Sequence, residues 1–346
     1  MFEFPVLIAD IGGTYARFAV LPAPGEPLSR LITMATSLHT TPGMAIRSAL
    51  NALGGPSPRS ALLGVAGRVD APTVRLTNAS WTIDAAEIGA DLGLSSAMLV
   101  NDYVPVAAAL PLLEVGQPVE IARIGPAIPC GQGNRVALGP GTGLGAAACI
   151  PVRGRYWLQP TEAGHVDFGA CDADELAIWP LIDRVGGRIT AETVLSGPGL
   201  TRLHHAAAQR RGQVPPSLTP AEVIAAASYG KDEAASDAVR HFLSLLGRFA
   251  GDLALIFNAT GGVYFGSGIL PRVIDLLDRG DFRRAFERKS PFEAVMTRIP
   301  TFVITRPEPA ILGLTSIANA PDRFIFEAHG WATEAARFPL LATATK

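Results

Sequence analysis

Short apolar runs broken by glycine-rich punctuation open the chain. Residues 5–9 and 17–21 read as strands joined by Asp-Ile-Gly-Gly-Thr. That is a hairpin signal, because glycine reaches the positive φ that a tight turn demands. Apolar patterning predicts further strands at 31–35, 61–65, 74–76 and 97–100, and a helix over 43–53. Asp84 stands three residues before Glu87, the spacing of a capping box, and opens a helix that runs to about Leu92. The strand at 97–100 delivers Asn101 and Asp102 to its end, and a helix follows from about Val104.

Residues 111–132 are rich in Pro and Gly and mark a domain crossing. The opening pattern then recurs: a strand at 135–138, a glycine turn at 139–143, and a strand at 144–150. Ala-Asp-Ile-Gly-Gly-Thr (9–14) and Ala-Leu-Gly-Pro-Gly-Thr (137–142) share one design, which suggests duplication of an α/β unit. Helices are predicted near 174–185, 198–211, 220–227 and 232–258. A strand at 262–265, a helix after Pro271, a strand at 302–304 and a helix at 310–319 complete the pattern. The stretch from Pro321 to Lys346 has no clear period.

Composition narrows the function classes. A chain of 346 residues suggests two domains, each able to bury its own core without disulfide or metal staples. A formal charge of −2 argues against nucleic acid or an anionic membrane as partner. The 29 cationic residues are 26 Arg and only 3 Lys (Lys231, Lys289 and Lys346), none in a Walker A loop. Any nucleotide is therefore handled without a P-loop lysine. Cys130, Cys149 and Cys171 lack zinc spacing and fit a reducing compartment. With no basic leader and no apolar run of ~18 residues, the expectation is a soluble, cytoplasmic protein.

Two Gly/Thr hairpins can clamp a polyphosphate, since backbone N–H groups in such turns face a concavity that favours anions. The first offers Ala9, Asp10, Ile11, Gly12, Gly13 and Thr14; the second offers Gly139, Gly141, Thr142 and Gly143. Asp10 can hold Mg²⁺, through water. Either hairpin alone also reads as an ordinary turn. Gly143-x-Gly145-x-x-Ala148 fits a loose dinucleotide fingerprint, but inside an apparent strand. Asp102 suits a general base, because burial at a strand end raises carboxylate basicity. It equally suits the N-cap of the helix that follows. Glu162 and His165 pair an acceptor with an imidazole, as sugar hydroxyls require. Glu192 is a further acceptor, or else a solvated helix residue. A serine-hydrolase elbow and the protein-kinase lysine set are both absent from the sequence.

Taken in order, the motifs resemble one family. They are Asp10-Ile-Gly-Gly-Thr-x-x-Arg17, Thr77-Asn78-x-x-Trp81, Asn101-Asp102-Tyr103, Gly139-x-Gly141-Thr142-Gly143-Leu144-Gly145, Glu162-x-Gly164-His165-Val166-Asp167-Phe168, Val194-Leu195-Ser196-Gly197-Pro198-Gly199-Leu200 and Gly268-Ile269-x-Pro271-Arg272. The series, over roughly residues 5–319, is similar to the bacterial ATP-dependent glucokinases of the actin-like sugar-kinase superfamily.

The resemblance implies a two-domain α/β fold, actin-like (ribonuclease H-like), with an interdomain cleft. Residues 1–112 plus about 310–346 would form the small domain and 113–309 the large one. It implies MgATP-dependent phosphorylation of the glucose 6-hydroxyl, with Asp102 as base and domain closure over the substrates. Asn101, Asp102, Glu162, His165 and Glu192 would bind the sugar. The two turns would hold phosphates, Gly268 would lie near the adenosine, and the assembly would be a homodimer. Tyr15, Ala163 and Ser267 depart from the family pattern at positions usually Asn, Gly and Gly. A related hexose kinase with another sugar or phosphoryl donor, or a non-catalytic sugar-sensing module, would share much of this pattern.

Overall fold

Every side chain but one in the strand Val6–Ile11 is buried, which requires cover on both faces of its sheet. The exception is Asp10, at the carboxyl end. In the computed structural model the described residues are 2–76, 79–113, 120–228, 230, 232–266, 270–277 and 280–334. The chain divides into two units. The first takes residues 1–112, 152–160 and 308–346, and the second residues 113–151 and 161–307.

The first unit is built on a six-stranded sheet. Its order is His329–Ala332, Ser96–Asn101, Ser60–Val65, Val6–Ile11, Tyr15–Leu21, Ile32–Ala35. The three strands Ser96–Asn101, Ser60–Val65 and Val6–Ile11 are mutually parallel, so their carboxyl ends share one edge. Register sets Asp10 opposite Gly64, Gly64 opposite Val100, and Ile11 and Asn101 on either side of Val65. Asp10 is therefore level with Val100, one residue short of Asn101 at the same end of the sheet.

Glycine lets elements of this unit approach one another closely. A Cβ on Gly313, in helix Pro309–Asn319, would lie 1.8 Å from the Pro105 carbonyl of helix Tyr103–Ala109. A Cβ on Gly89 would lie 2.3 Å from the Trp331 ring. The unit has its own core, from Leu7 and Phe18 to Trp81 and Leu99.

In the second unit, neighbouring strands run in the order Leu144–Val152, Arg135–Pro140, Gly262–Phe265, Thr301–Ile304, Ile121–Ile124. The first and last pairings are antiparallel and the middle two parallel. Helix Glu233–Ile256 runs 24 residues from an N-cap at Asp232, whose Oδ1 accepts from the amides of Ala234 and Ala235. Its Phe242, Leu246 and Phe249 enter a separate core with Phe168, Leu203 and Phe265. Among the described residues no helix is long and apolar enough to cross a membrane.

The structure corrects several expectations. The helix predicted over 174–185 ends at Ile178, with a 3-10 turn over Trp179–Leu181, because Pro180 cannot continue the ladder. The predicted crossing at 111–132 contains the strand Ile121–Ile124. The strand Arg155–Thr161 carried no prediction, and Tyr156 pairs in parallel with Phe324. The region after Pro321 holds two short strands, Phe324–Phe326 and His329–Ala332. Thr77, Asn78, Ser267, Gly268, Ile269 and residues 335–346 lie outside the described residues.

Candidate active site

In the first unit, the 9–14 segment makes the predicted turn, but neither Gly12 nor Gly13 has a positive φ, so the reason for glycine at 12 is a close backbone approach instead. The Gly12 amide donates to the Tyr15 carbonyl at 3.0 Å. A Cβ on Gly12 would stand only 3.2 Å from that oxygen. The turn is buttressed from outside: the Thr36 hydroxyl donates to the Gly13 carbonyl at 2.7 Å, and the Thr36 amide to the Thr14 carbonyl at 3.0 Å. Ala9 and Ile11 are fully buried, so only their backbones remain for a ligand. Thr14 and Tyr15 are exposed.

Asp10 is largely buried and sits across the hairpin from Arg17. Arg17 Nη1 donates to Asp10 Oδ2 at 3.2 Å. On its other edge, Arg17 Nε lies 2.6 Å from Glu308 Oε2. The Asp10 carboxyl is pushed up to about 6. Burial is the main cause; Arg17 pulls against it, and the Glu308 charge adds to it.

Asn101 and Asp102 emerge on the same edge. The Asn101 side-chain amide donates to the Gly67 carbonyl at 3.0 Å, and its Oδ1 accepts from the Tyr103 amide at 2.9 Å. The capping expectation for Asp102 is thus corrected. Asp102 has helical φ and ψ (−61°, −20°) and makes no side-chain cap bond, whereas a capping side chain needs an extended backbone. Asn101 does the local bonding instead. Tyr103 ties the pieces together: burial, then the charges of Asp102 and of Asp10, push its phenol well above the ordinary range. Both carboxylates therefore act on one hydroxyl.

In the second unit, Gly139, Gly141, Thr142 and Gly143 join strands Arg135–Pro140 and Leu144–Val152, with Gly139 paired to Gly145. The Gly141 amide donates to the Gly143 carbonyl at 2.8 Å, and the Gly197 amide to the Gly141 carbonyl at 2.8 Å. The glycine series from Gly143 lies in this hairpin rather than opening a helix, so the dinucleotide reading fails.

Glu192 is not a solvated helix residue. Its Oε2 accepts from the Leu144 amide at 2.8 Å, over a Gly143 whose absent Cβ would be 2.6 Å away. The Glu162–His165 turn packs against the carbonyl of the same residue, since a Cβ on Gly164 would lie 2.5 Å from the Leu144 oxygen. His165 Nε2 is 3.8 Å from Glu162 Oε2, and both side chains are half exposed. Arg188 braces this turn, binding Asp167 at 2.8 Å and the His165 carbonyl at 3.0 Å. Glu192 and the Glu162–His165 turn, from separate stretches of sequence, thus both meet the hairpin at Leu144. Sequence reasoning missed Arg188, and it missed Glu308 in the first unit.

The donor sets for a cation differ between the units. Asp10 and Glu308 share the single charge of Arg17, so this trio carries a net negative charge with oxygen donors, which suits a hard divalent ion. Cys171, Asp172 and Glu175 also cluster in the second unit. Arg248 binds Glu175 at 3.2 Å, however, and Arg288 lies 3.5 Å from Asp172, so this cluster is charge-compensated by arginine.

Glycine turns between strands in both units, with carboxylates at a parallel sheet edge in the first, are features of the actin-like fold of sugar kinases. Solved structures agree. A glucokinase from an Antarctic psychrotroph superposes with a TM-score of 0.77 at 29% identity, over 92% of this chain and all of that one. A glucokinase from Balamuthia mandrillaris shares the fold, with a TM-score of 0.76 at 20% identity over 90% and 92% of the two chains. The family model described as Glucokinase matches residues 7–321. The glucokinase of Mesorhizobium japonicum is 40% identical over 324 residues, covering 93% of this chain and 94% of that one. That of Brucella suis is 39% identical over 329 residues, 95% of each. The chain belongs to the glucokinase family.

Proposed function

We propose that this chain, an ATP-dependent glucose kinase by family, uses Asp102 to take the proton of the glucose 6-hydroxyl as that oxygen attacks the γ-phosphorus of ATP. One O–P bond forms, the bond to the ADP oxygen breaks, and the proton ends on Asp102. The observation that carries this role is the placement of Asp102. It lies just past a buried parallel strand and is not consumed by capping.

The remaining roles follow from chemistry. Asn101 in the first unit, with Glu162, His165 and Glu192 in the second, would bond the sugar hydroxyls, which both donate and accept. The amides of the 9–14 and 139–143 turns would receive phosphate oxygens, since phosphoryl transfer gains mainly from positioning and charge neutralisation. Gly268 would contribute near the adenosine. Asp10 would hold Mg²⁺ through water, and the ion when bound supplies neutralisation of phosphate charge.

Coupled turnover with MgATP across glucose, mannose, fructose, N-acetylglucosamine and no sugar tests the reading. Glucose-dependent ADP release, with glucose 6-phosphate as product, is expected. Folded protein that binds glucose yet turns over no sugar would overturn it.

A further inference from the structure

Among the described residues, three other than glycine have positive φ: Arg153, Asn258 and Glu308. Glu308 is the most constrained. It has φ 51° and ψ 55° and directly precedes Pro309, whose ring restricts the residue before it. That backbone starts helix Pro309–Asn319 and brings the Glu308 carboxylate to Arg17.

Arg17 is hydrogen-bonded on one edge and ion-paired, without hydrogen-bond geometry, on the other. Its Nη1 bonds Asp10 Oδ2, and its Nε faces Glu308 Oε2. A guanidinium held this way is a rigid crosspiece and not a mobile charge. The hairpin register independently sets Arg17 opposite Asp10. The helix that begins beyond Glu308 is also fixed, because Gly313 packs directly on the Pro105 carbonyl of the helix following Asp102.

We propose that Glu308 and Arg17 are positioning residues that hold the Asp10 carboxylate in the orientation that receives the magnesium-bound nucleotide. The inference rests on the reading that Asp10 serves that ion. Helix Pro309–Asn319 is then a common strut, bracing Asp10 through its first turn and the Asp102 helix through its body.

The test is equilibrium binding by calorimetry, with MgADP and with glucose as separate titrants. Wild type, Glu308→Ala, Glu308→Gln, Asp10→Ala and the Asp10→Ala/Glu308→Ala double variant are compared. Glu308→Ala is expected to weaken MgADP about tenfold, as loss of a residue orienting a metal-associated ligand does. Glu308→Gln, which keeps an acceptor for Arg17, should stay within about threefold of wild type. Glucose affinity should not change in either variant, which separates positioning from misfolding. In the Asp10→Ala background the Glu308 substitution should have no further effect. Unchanged MgADP affinity in Glu308→Ala, or the same loss with Asp10 already removed, overturns the proposal. Unchanged MgADP affinity in Asp10→Ala overturns the Asp10 reading itself, and this inference with it.

Discussion

Two carboxylates on the first sheet edge have different neighbours, and this separates their tasks. Asp10 is tied to an arginine, whereas Asp102 is left out of the helix cap beside it. Asp102→Ala should therefore lower kcat roughly 10²–10⁴-fold, the range for a general base, with glucose affinity nearly unchanged. Equal losses in both would make Asp102 structural. Gly143 makes a different prediction. In Gly143→Ala the new methyl meets Glu192 Oε2, forcing it off the Leu144 amide. With Glu192 displaced from its proposed bond to the sugar, the glucose KM should rise about tenfold or more, since a charge-assisted bond contributes ~1.5–3 kcal/mol. An unchanged KM would remove Glu192 from the sugar site. Both glycine turns were legible in the sequence, because Gly-Gly-Thr (12–14) and Gly-Pro-Gly-Thr-Gly (139–143) each interrupt two apolar runs. Glu308 was not, because a glutamate before proline carries no preference for left-handed backbone.

Elements were legible where burial made them uniform or a cap announced them. The strands Val6–Ile11 and Ser60–Val65 are apolar runs, and Asp84 caps Ala85–Leu92 as its spacing predicts. The strands Arg155–Thr161 and His329–Ala332 are mostly half exposed, so they show neither continuous burial nor a clean alternation. Their pairing is decided by partners far away in sequence, which local pattern does not contain.

Asp84 also carries an acid-sensitive contribution to stability. The Thr73 hydroxyl, 2.6 Å away, and then the Glu87 amide hold its carboxyl below the ordinary range. A depressed carboxyl stabilises the fold above its unfolded pKa of ~3.9 and loses that contribution as pH falls through the folded value. Asp84→Ala should cost about 1 kcal/mol at pH 7, with the gap to wild type narrowing in urea midpoints taken near pH 3. A gap that stays constant between those pH values would assign the loss to packing alone.

Each unit has a core of its own, but the first is assembled from three separate stretches of chain. Its strand Ser96–Asn101 pairs with His329–Ala332, and its Asp102 helix rests on Pro309–Asn319. A chain ending at Pro307 should therefore keep hydrogen-exchange protection in Glu233–Ile256 while losing it in Ser96–Asn101. Protected amides in Ser96–Asn101 would show that the first unit closes without its last segment. Residue patterning does not contain this dependence, which only the family resemblance implied, since residues after Pro321 lack a period and their place is set by the partner strand.

The same three-part assembly orders events during biosynthesis. The ribosome releases Asp10 and Asp102 long before Glu308 and the helix that braces both. At roughly 5–20 residues per second the interval is on the order of tens of seconds. Throughout it the nascent chain has its chemical groups but not the strut that aligns them. Competence for phosphoryl transfer then waits on the synthesis and docking of the segment that begins at Glu308.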